Sequence, residues 1–189
     1  MTILLYKAAI RQLCGDELLP LNTIRDRYPD LYDRESAKYA ERPHVMDHPV
    51  HPLGCRWTDV VFFSPVHPER IFEALRESGR ISAAPDYWTI DANLLYPDRT
   101  CILLKRHDPQ FRPQPAAHYL PYTPEAAVAL SAPSEKALNR LRNLTADEPL
   151  LPWADIPHVL HHGPVPVAWL RTPSGDPVTR FTAATPGNA

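Results

Sequence analysis

Residues 87–106 read YWTIDANLLYPDRTCILLKR, and the parsing of this stretch decides the fold. From Tyr87 the side chains alternate. Trp88, Ile90, Ala92 and Leu94 fall on one face, with Tyr87, Thr89, Asp91 and Asn93 on the other, the period of a half-buried strand. YPDR supplies proline and aspartate where a turn needs them. TCILLKR then returns as a continuous apolar run. The stretch therefore predicts an antiparallel hairpin, with Cys101 in a central strand.

Working outward, WTDVVFFS (57–64) is a second buried strand, with the strand itself starting at Val60 and Asp59 outside it. SPVHPERIFEALRESG follows as a helix. Ser64 or His67 caps it, Ile71, Phe72 and Leu75 form its apolar face, and Gly79 stops it. TILLYKA near the N-terminus predicts a first strand running into a short helix that Gly15 ends. LNTIRDRYPDLYDRESAKYAER predicts two helical pieces, the first capped by Asn22 and the second carrying Pro29 in its first turn. Thr123 and Ser134 each start a helix. The segment 107–124 reads as a long proline-rich loop, and WADIPHVLHHG as a short helical turn. There His161 and His162 would satisfy the last carbonyls of the turn. VPVAWLR is a strand in which Pro166 requires an edge or a bulge. The class is α+β: a single domain over residues 1–171, a mainly antiparallel sheet of about five strands with helices packed on it, proline-rich loops, and a proline-rich tail over 172–189.

Composition bounds the function. The 189 residues carry a formal net charge of -2, so the chain lacks the basic balance that nucleic-acid binding draws on. Of the 20 Lys and Arg residues only four are lysines, Lys7, Lys38, Lys105 and Lys136. The arginine bias and the 23 prolines fit a GC-rich bacterial genome. Three widely spaced cysteines build no disulfide framework. The N-terminal segment lacks the basic n-region and long apolar run of an export signal, and no stretch reaches the length of a membrane span. The expectation is a cytoplasmic protein without membrane partners.

The segment ERPHVMDHPVHPLGC (41–55) concentrates ligand-type side chains. His44, His48, His51 and Cys55 are all residues that bind zinc, and loop ligands at such spacings are common in zinc sites. Pro49 and Pro52 push the preceding histidines into extended geometry, which rules out a helical H-E-x-x-H site. Three readings follow: a proline-stiffened connector, a metal-dependent hydrolase built on this loop, or an active-site loop without metal. In the last reading His44 and His67 move protons and Arg42, Arg56 and Tyr39 bind an anionic substrate. Cys55, beside Arg56, is the candidate for a lowered thiol pKa. Six glycines form no phosphate-binding loop.

The run KYAERPHVMDHPVHPLGCRWTDVVFFSPVHPERI (38–71) resembles the DarT-like ADP-ribosyltransferases. Tyr39, Arg42, DVVFF, Pro65 and Pro68 follow the family's order: a tyrosine on a helix, an NAD-binding arginine, a variable loop, an aromatic strand ending in proline, then a helix. The resemblance implies an ADP-ribosyl transferase with NAD as ligand. Two positions depart from it. Lys7 stands where the family's first strand carries a histidine, and no C-terminal glutamate is marked, so Glu125, Glu135 or Glu148 would have to serve. The expected function is an intracellular enzyme for a nucleotide-like or acidic small molecule. A non-catalytic interaction module using the proline-rich segments is the remaining reading.

Overall fold

The computed structural model describes residues 2–10, 13–83 and 85–179; the last ten residues of the expected tail lie outside the described residues. In chain order the elements are β1 (Leu4–Ala8), β2 (Glu17–Leu18), α1 (Leu21–Arg27), α2 (Pro29–Ser36), β3 (Pro49–Val50), β4 (Cys55–Arg56), β5 (Val60–Phe63), α3 (Pro68–Glu77), β6 (Tyr87–Asp91), β7 (Thr100–Leu103), β8 (Tyr119–Pro121), α4 (Pro124–Val128), α5 (Glu135–Arg142), β9 (His158–His162), β10 (Val165–Pro166) and β11 (Leu170–Arg171). This is an α+β fold, and every strand pair among the described residues is antiparallel.

Two sheets carry the fold. One has the order β5-β9-β7-β8, the other β1-β6-β11. They meet where Tyr6 and Ser64 exchange both backbone hydrogen bonds at 2.8 Å. Strand periodicity divides the larger sheet's faces. Val61, Phe63, Ile102 and Val159 join Leu5, Trp88, Ile90 and Leu170 of the other sheet in one core. Val60, Phe62, Cys101, Leu103 and Leu160 turn the opposite way, toward Val45, Val50, Trp57 and Tyr119. A third core lies between α3 and α5, built from Ile71, Phe72, Leu75, Leu138 and Leu141.

The expected hairpin does not form. β6 and β7 belong to different sheets. After Asp91 the chain makes two 3-10 turns, Ala92–Leu94 and Pro97–Arg99, which carry it from one sheet to the other. Nor does β6 keep a simple alternation, since Trp88, Thr89 and Ile90 are all buried. The helical turn expected around residues 153–163 is also replaced: His158–His162 is a strand between β5 and β7. No helix follows β1 among the described residues; Gly15, at φ 77, belongs to a turn. Pro20, not Asn22, occupies the N-cap of α1, and the Asn22 amide instead donates to Asp59.

Other expectations hold. His67 caps α3, its Nδ1 accepting from the Glu69 N–H at 3.2 Å. Thr123 and Ser134 cap α4 and α5. Val178, within the segment expected as a tail, is instead buried in the core between the two sheets.

Candidate functional site

β5 and β7 both run antiparallel to β9, so their carboxyl ends point the same way. There a pocket of about 360 Å3 opens. Its walls come from Tyr6–Ala8 of β1, the 3-10 turn holding Lys38 and Tyr39, Arg42, Val45 and His48 from the following loop, Trp57, and Phe62–Ser64. The segments 105–108 and 151–154, with Phe111, Arg112, Gln114 and His158, complete it.

Aromatic rings form one side. Trp57 packs on Phe62 with centroids 4.6 Å apart, and its Nε1 donates to the Tyr39 Oη at 3.2 Å. Cations sit on these rings. Lys105 Nζ lies 4.9 Å from the Trp57 centroid, Lys38 Nζ 5.4 Å from that of Tyr39, and the Arg42 guanidinium 4.6 Å from that of Phe111. Three of the chain's four lysines therefore line this one pocket, with Arg42, Arg106 and Arg112. The single lining carboxylate, Asp108, already accepts from Arg112 at 2.7 Å. Among the described residues no carboxylate lies within 4.0 Å of the charged ends of Lys7, Arg42 or Lys105.

Burial, and then neighbouring cations, depress the basicity of Lys7 and Lys105. Burial, then the Lys38 ammonium, lowers Lys7 to about 8, while Glu35 opposes. Burial, then Arg42, lowers Lys105 to about 8, while Asp155 opposes. His158 is driven to about 3 by burial and Lys105. Its Nδ1 lies 2.7 Å from the Ile156 carbonyl, which only accepts, so Nδ1 carries the proton and Nε2 keeps the lone pair. His48 is lowered by burial, His44 and Lys105, and its buried Nε2 has no partner among the described residues.

The walls are held by strained backbone. Phe111 stands at φ 50 after a turn in which its N–H donates to the Asp108 carbonyl and Gln110 N–H donates to the Asp108 side chain. Asp155 stands at φ 62, 5 % exposed, and binds both the His107 N–H at 2.9 Å and Arg140 Nε at 3.1 Å. Arg140 also donates to the Leu151 and Ala154 carbonyls. One buried ion pair thus fixes the 105–108 and 151–154 walls. An aspartate tolerates this backbone region, whereas Phe111 is held in it by the surrounding contacts.

Of the five residues expected at a site, Tyr39 and Arg42 line the pocket. His67 does not; its ring packs edge-on against Tyr6, a lining residue, at 4.8 Å. His44 lies beside His48, ring centroids 5.7 Å apart, outside the lining. Arg56 makes an exposed ion pair with Asp47 at 3.1 Å. Nor do the loop's ligand-type side chains converge. His51 packs on Tyr119, and among the described residues no three His, Cys, Asp or Glu side chains gather closely enough to hold a metal ion. The Cys55 thiol is pushed up to about 11 by burial and Asp59, the reverse of the effect expected from Arg56. Glu125, Glu135 and Glu148 are all outside the pocket.

Sequence reading missed Lys7, Lys105, Trp57 and His158 as site residues. A signal existed: in a chain with four lysines, two sit at the ends of apolar strands. No family model matches this chain, no curated protein is similar to it, and no solved structure matches it.

Proposed function

We propose that the protein binds a nucleotide-like anion in the pocket at the carboxyl ends of β5 and β7. The observation that carries this reading is one cleft that brings aromatic rings together with cations lacking carboxylate partners: Trp57, Phe62 and Tyr39 line it with Lys7, Arg42 and Lys105, and a base would stack on Trp57 or Tyr39 as Lys105 and Lys38, which overlie those rings, turn to phosphate. A flat heterocycle stacks on such rings, and phosphate oxygens take charge-assisted hydrogen bonds from such cations. NAD, the ligand implied by the resemblance to DarT-like transferases, fits in part. Arg42 and Lys105 would hold phosphate, and Trp57 a ring. Ribosyl transfer needs a carboxylate beside the developing sugar cation; among the described residues Asp108 is the one carboxylate lining the pocket and is engaged with Arg112, while Glu35, behind the lining, pairs with Lys38 at 3.9 Å. Of the pocket's own groups Lys7 and Lys105, lowered to about 8, are the ones that exchange protons near neutral pH, and with no free carboxylate beside the sugar NAD is expected to bind and remain intact.

Calorimetric titration of the full chain with adenosine, inorganic pyrophosphate, ADP and NAD tests the reading. ADP should bind more tightly than adenosine or pyrophosphate, because only it meets both halves of the pocket. Equal affinity for adenosine and ADP would refute it.

A further inference from the structure

His158 is a polar side chain in the pocket wall of which the fold uses only one nitrogen. It opens β9, opposite Leu103 of β7, and is 7 % exposed. The chain around it is pinned at successive residues. Asp155 holds the His107 N–H and Arg140, Ser64 Oγ donates to the Pro157 carbonyl at 2.8 Å, and His158 Nδ1 donates to the Ile156 carbonyl at 2.7 Å. The Phe62 ring stands edge-on to the imidazole, centroids 6.3 Å apart. These contacts fix both the tautomer and the orientation of the ring. Nε2 is therefore a lone-pair acceptor in a set position, without a partner among the described residues. Unlike the buried Nε2 of His48, it is not sealed from the cleft that the ring lines. Burial holds the ring near 3, so the nitrogen stays an acceptor at neutral pH. A largely buried acceptor left without a donor costs free energy that a bound ligand can restore. A phosphate dianion cannot do so, because it only accepts; that part of a ligand belongs with Lys7, Arg42 and Lys105.

We infer that His158 Nε2 accepts a hydrogen bond from a neutral N–H or O–H group of the ligand, which makes His158 the residue that selects, among anions the cations would all attract, those carrying such a donor. The inference rests on the nucleotide reading above and deepens it. In a nucleotide the donor is the exocyclic amino group of the base or a ribose hydroxyl.

The test is calorimetric titration of the full chain with adenosine 5′-monophosphate and with analogues that each lack one donor: purine riboside 5′-monophosphate, without the amino group, and the 2′-deoxy and 3′-deoxy nucleotides. One analogue should bind about tenfold or more weakly than the parent, the scale of one hydrogen bond lost at a buried acceptor. Which analogue it is tells the amino group from the hydroxyls. Two variants then assign the acceptor. The amide introduced by His158→Asn can keep the bond to the Ile156 carbonyl but places no acceptor at Nε2, whereas the amide oxygen introduced by His158→Gln reaches that place. His158→Asn should lower the parent to the affinity of the weak analogue and erase the difference between them, and His158→Gln should retain it, with melting curves confirming that both fold. Equal affinities for all four nucleotides in the native chain, or a discrimination that survives His158→Asn, would overturn the inference and leave nucleotide binding in place. No binding of the monophosphate at all would bring down the nucleotide reading and this inference with it.

Discussion

Lys7 and Lys105 are the residues whose surroundings differ most from those of an ordinary surface lysine. Each has its pKa lowered to about 8, so each stays charged at neutral pH and loses its proton as the medium turns mildly alkaline. Anion binding should weaken as pH rises through about 8. Stability of the unliganded protein should move the other way. An unfolded lysine titrates near 10.5, so between about pH 8 and 10 the unfolded chain binds more protons, and stability rises with pH over that window. Above it the buried tyrosines oppose the gain, since Tyr119 is held near 12. Melting temperature and ligand affinity recorded on one pH series would disprove the assignment if both moved in the same direction. Arginines separate equally well. Arg42→Ala should weaken an anionic ligand by about 1.5–3 kcal/mol, the scale of a charge-assisted hydrogen bond. Arg56→Ala removes only an exposed pair with Asp47 and should change binding and stability by less than about 1 kcal/mol. His67→Ala should cost about 1 kcal/mol of stability through the lost cap, with ligand affinity kept. A binding loss in His67→Ala with an unchanged melting curve would return His67 to the site.

At the level of elements, β9 is the strand on which the larger sheet depends, and it carries two buried histidines. Thr100 Oγ1 donates to the Tyr96 carbonyl at 2.7 Å, so its contact with His161 Nδ1 at 2.9 Å requires that nitrogen to carry the proton. His161 is held near 4, by burial first and then by Arg99 and His162, and His158 near 3. Both values lie below the unfolded 6.5, so both histidines stabilise the fold above that pH and lose the contribution as pH falls toward 4. Each unit of depression corresponds to about 1.4 kcal/mol between protonation states. An acid melting series should decline from about pH 6.5, and His161→Gln should flatten that decline; an unaltered slope would count against it. The turn after β9 is a second sensitive point. Gly163 stands at φ 96, its N–H donates to the Asp59 carbonyl at 3.1 Å, and a Cβ there would meet the Arg99 guanidinium. Gly163→Ala should therefore destabilise by at least about 1 kcal/mol, read from chemical denaturation.

Across the whole molecule, charge is distributed unevenly: a chain of net charge -2 keeps six cations and one carboxylate around one cleft. All three cysteines are free, and Cys55 and Cys101 are held near 11 and 12 by burial. A thiolate-directed reagent at neutral pH should leave both unmodified in the native protein and count three thiols after denaturation. Rapid native labelling of the half-buried Cys55 would contradict its raised pKa. No helix among the described residues is long and apolar enough to cross a membrane. The α+β class, the strands at Leu4–Ala8, Val60–Phe63 and Thr100–Leu103, and the caps at His67, Thr123 and Ser134 were legible in the sequence, because apolar runs and capping residues act over a few neighbouring positions. Tyr39 and Arg42, singled out in the sequence, line the pocket. The sheet assignments of β6 and β7 were not, since a turn signal such as YPDR fixes a local reversal and leaves the pairing partner to whichever sheet buries the strand's faces. WADIPHVLHHG likewise became strand because the gap between β5 and β7 demanded backbone partners. What the sequence determined by itself is what short-range periodicity and capping encode. The tertiary structure alone decided which cations share a pocket: Lys7, Arg42 and Lys105 are far apart in the chain, and only the stacking of β1, β5, β9 and β7 brings them to one cleft and lowers the two lysines there.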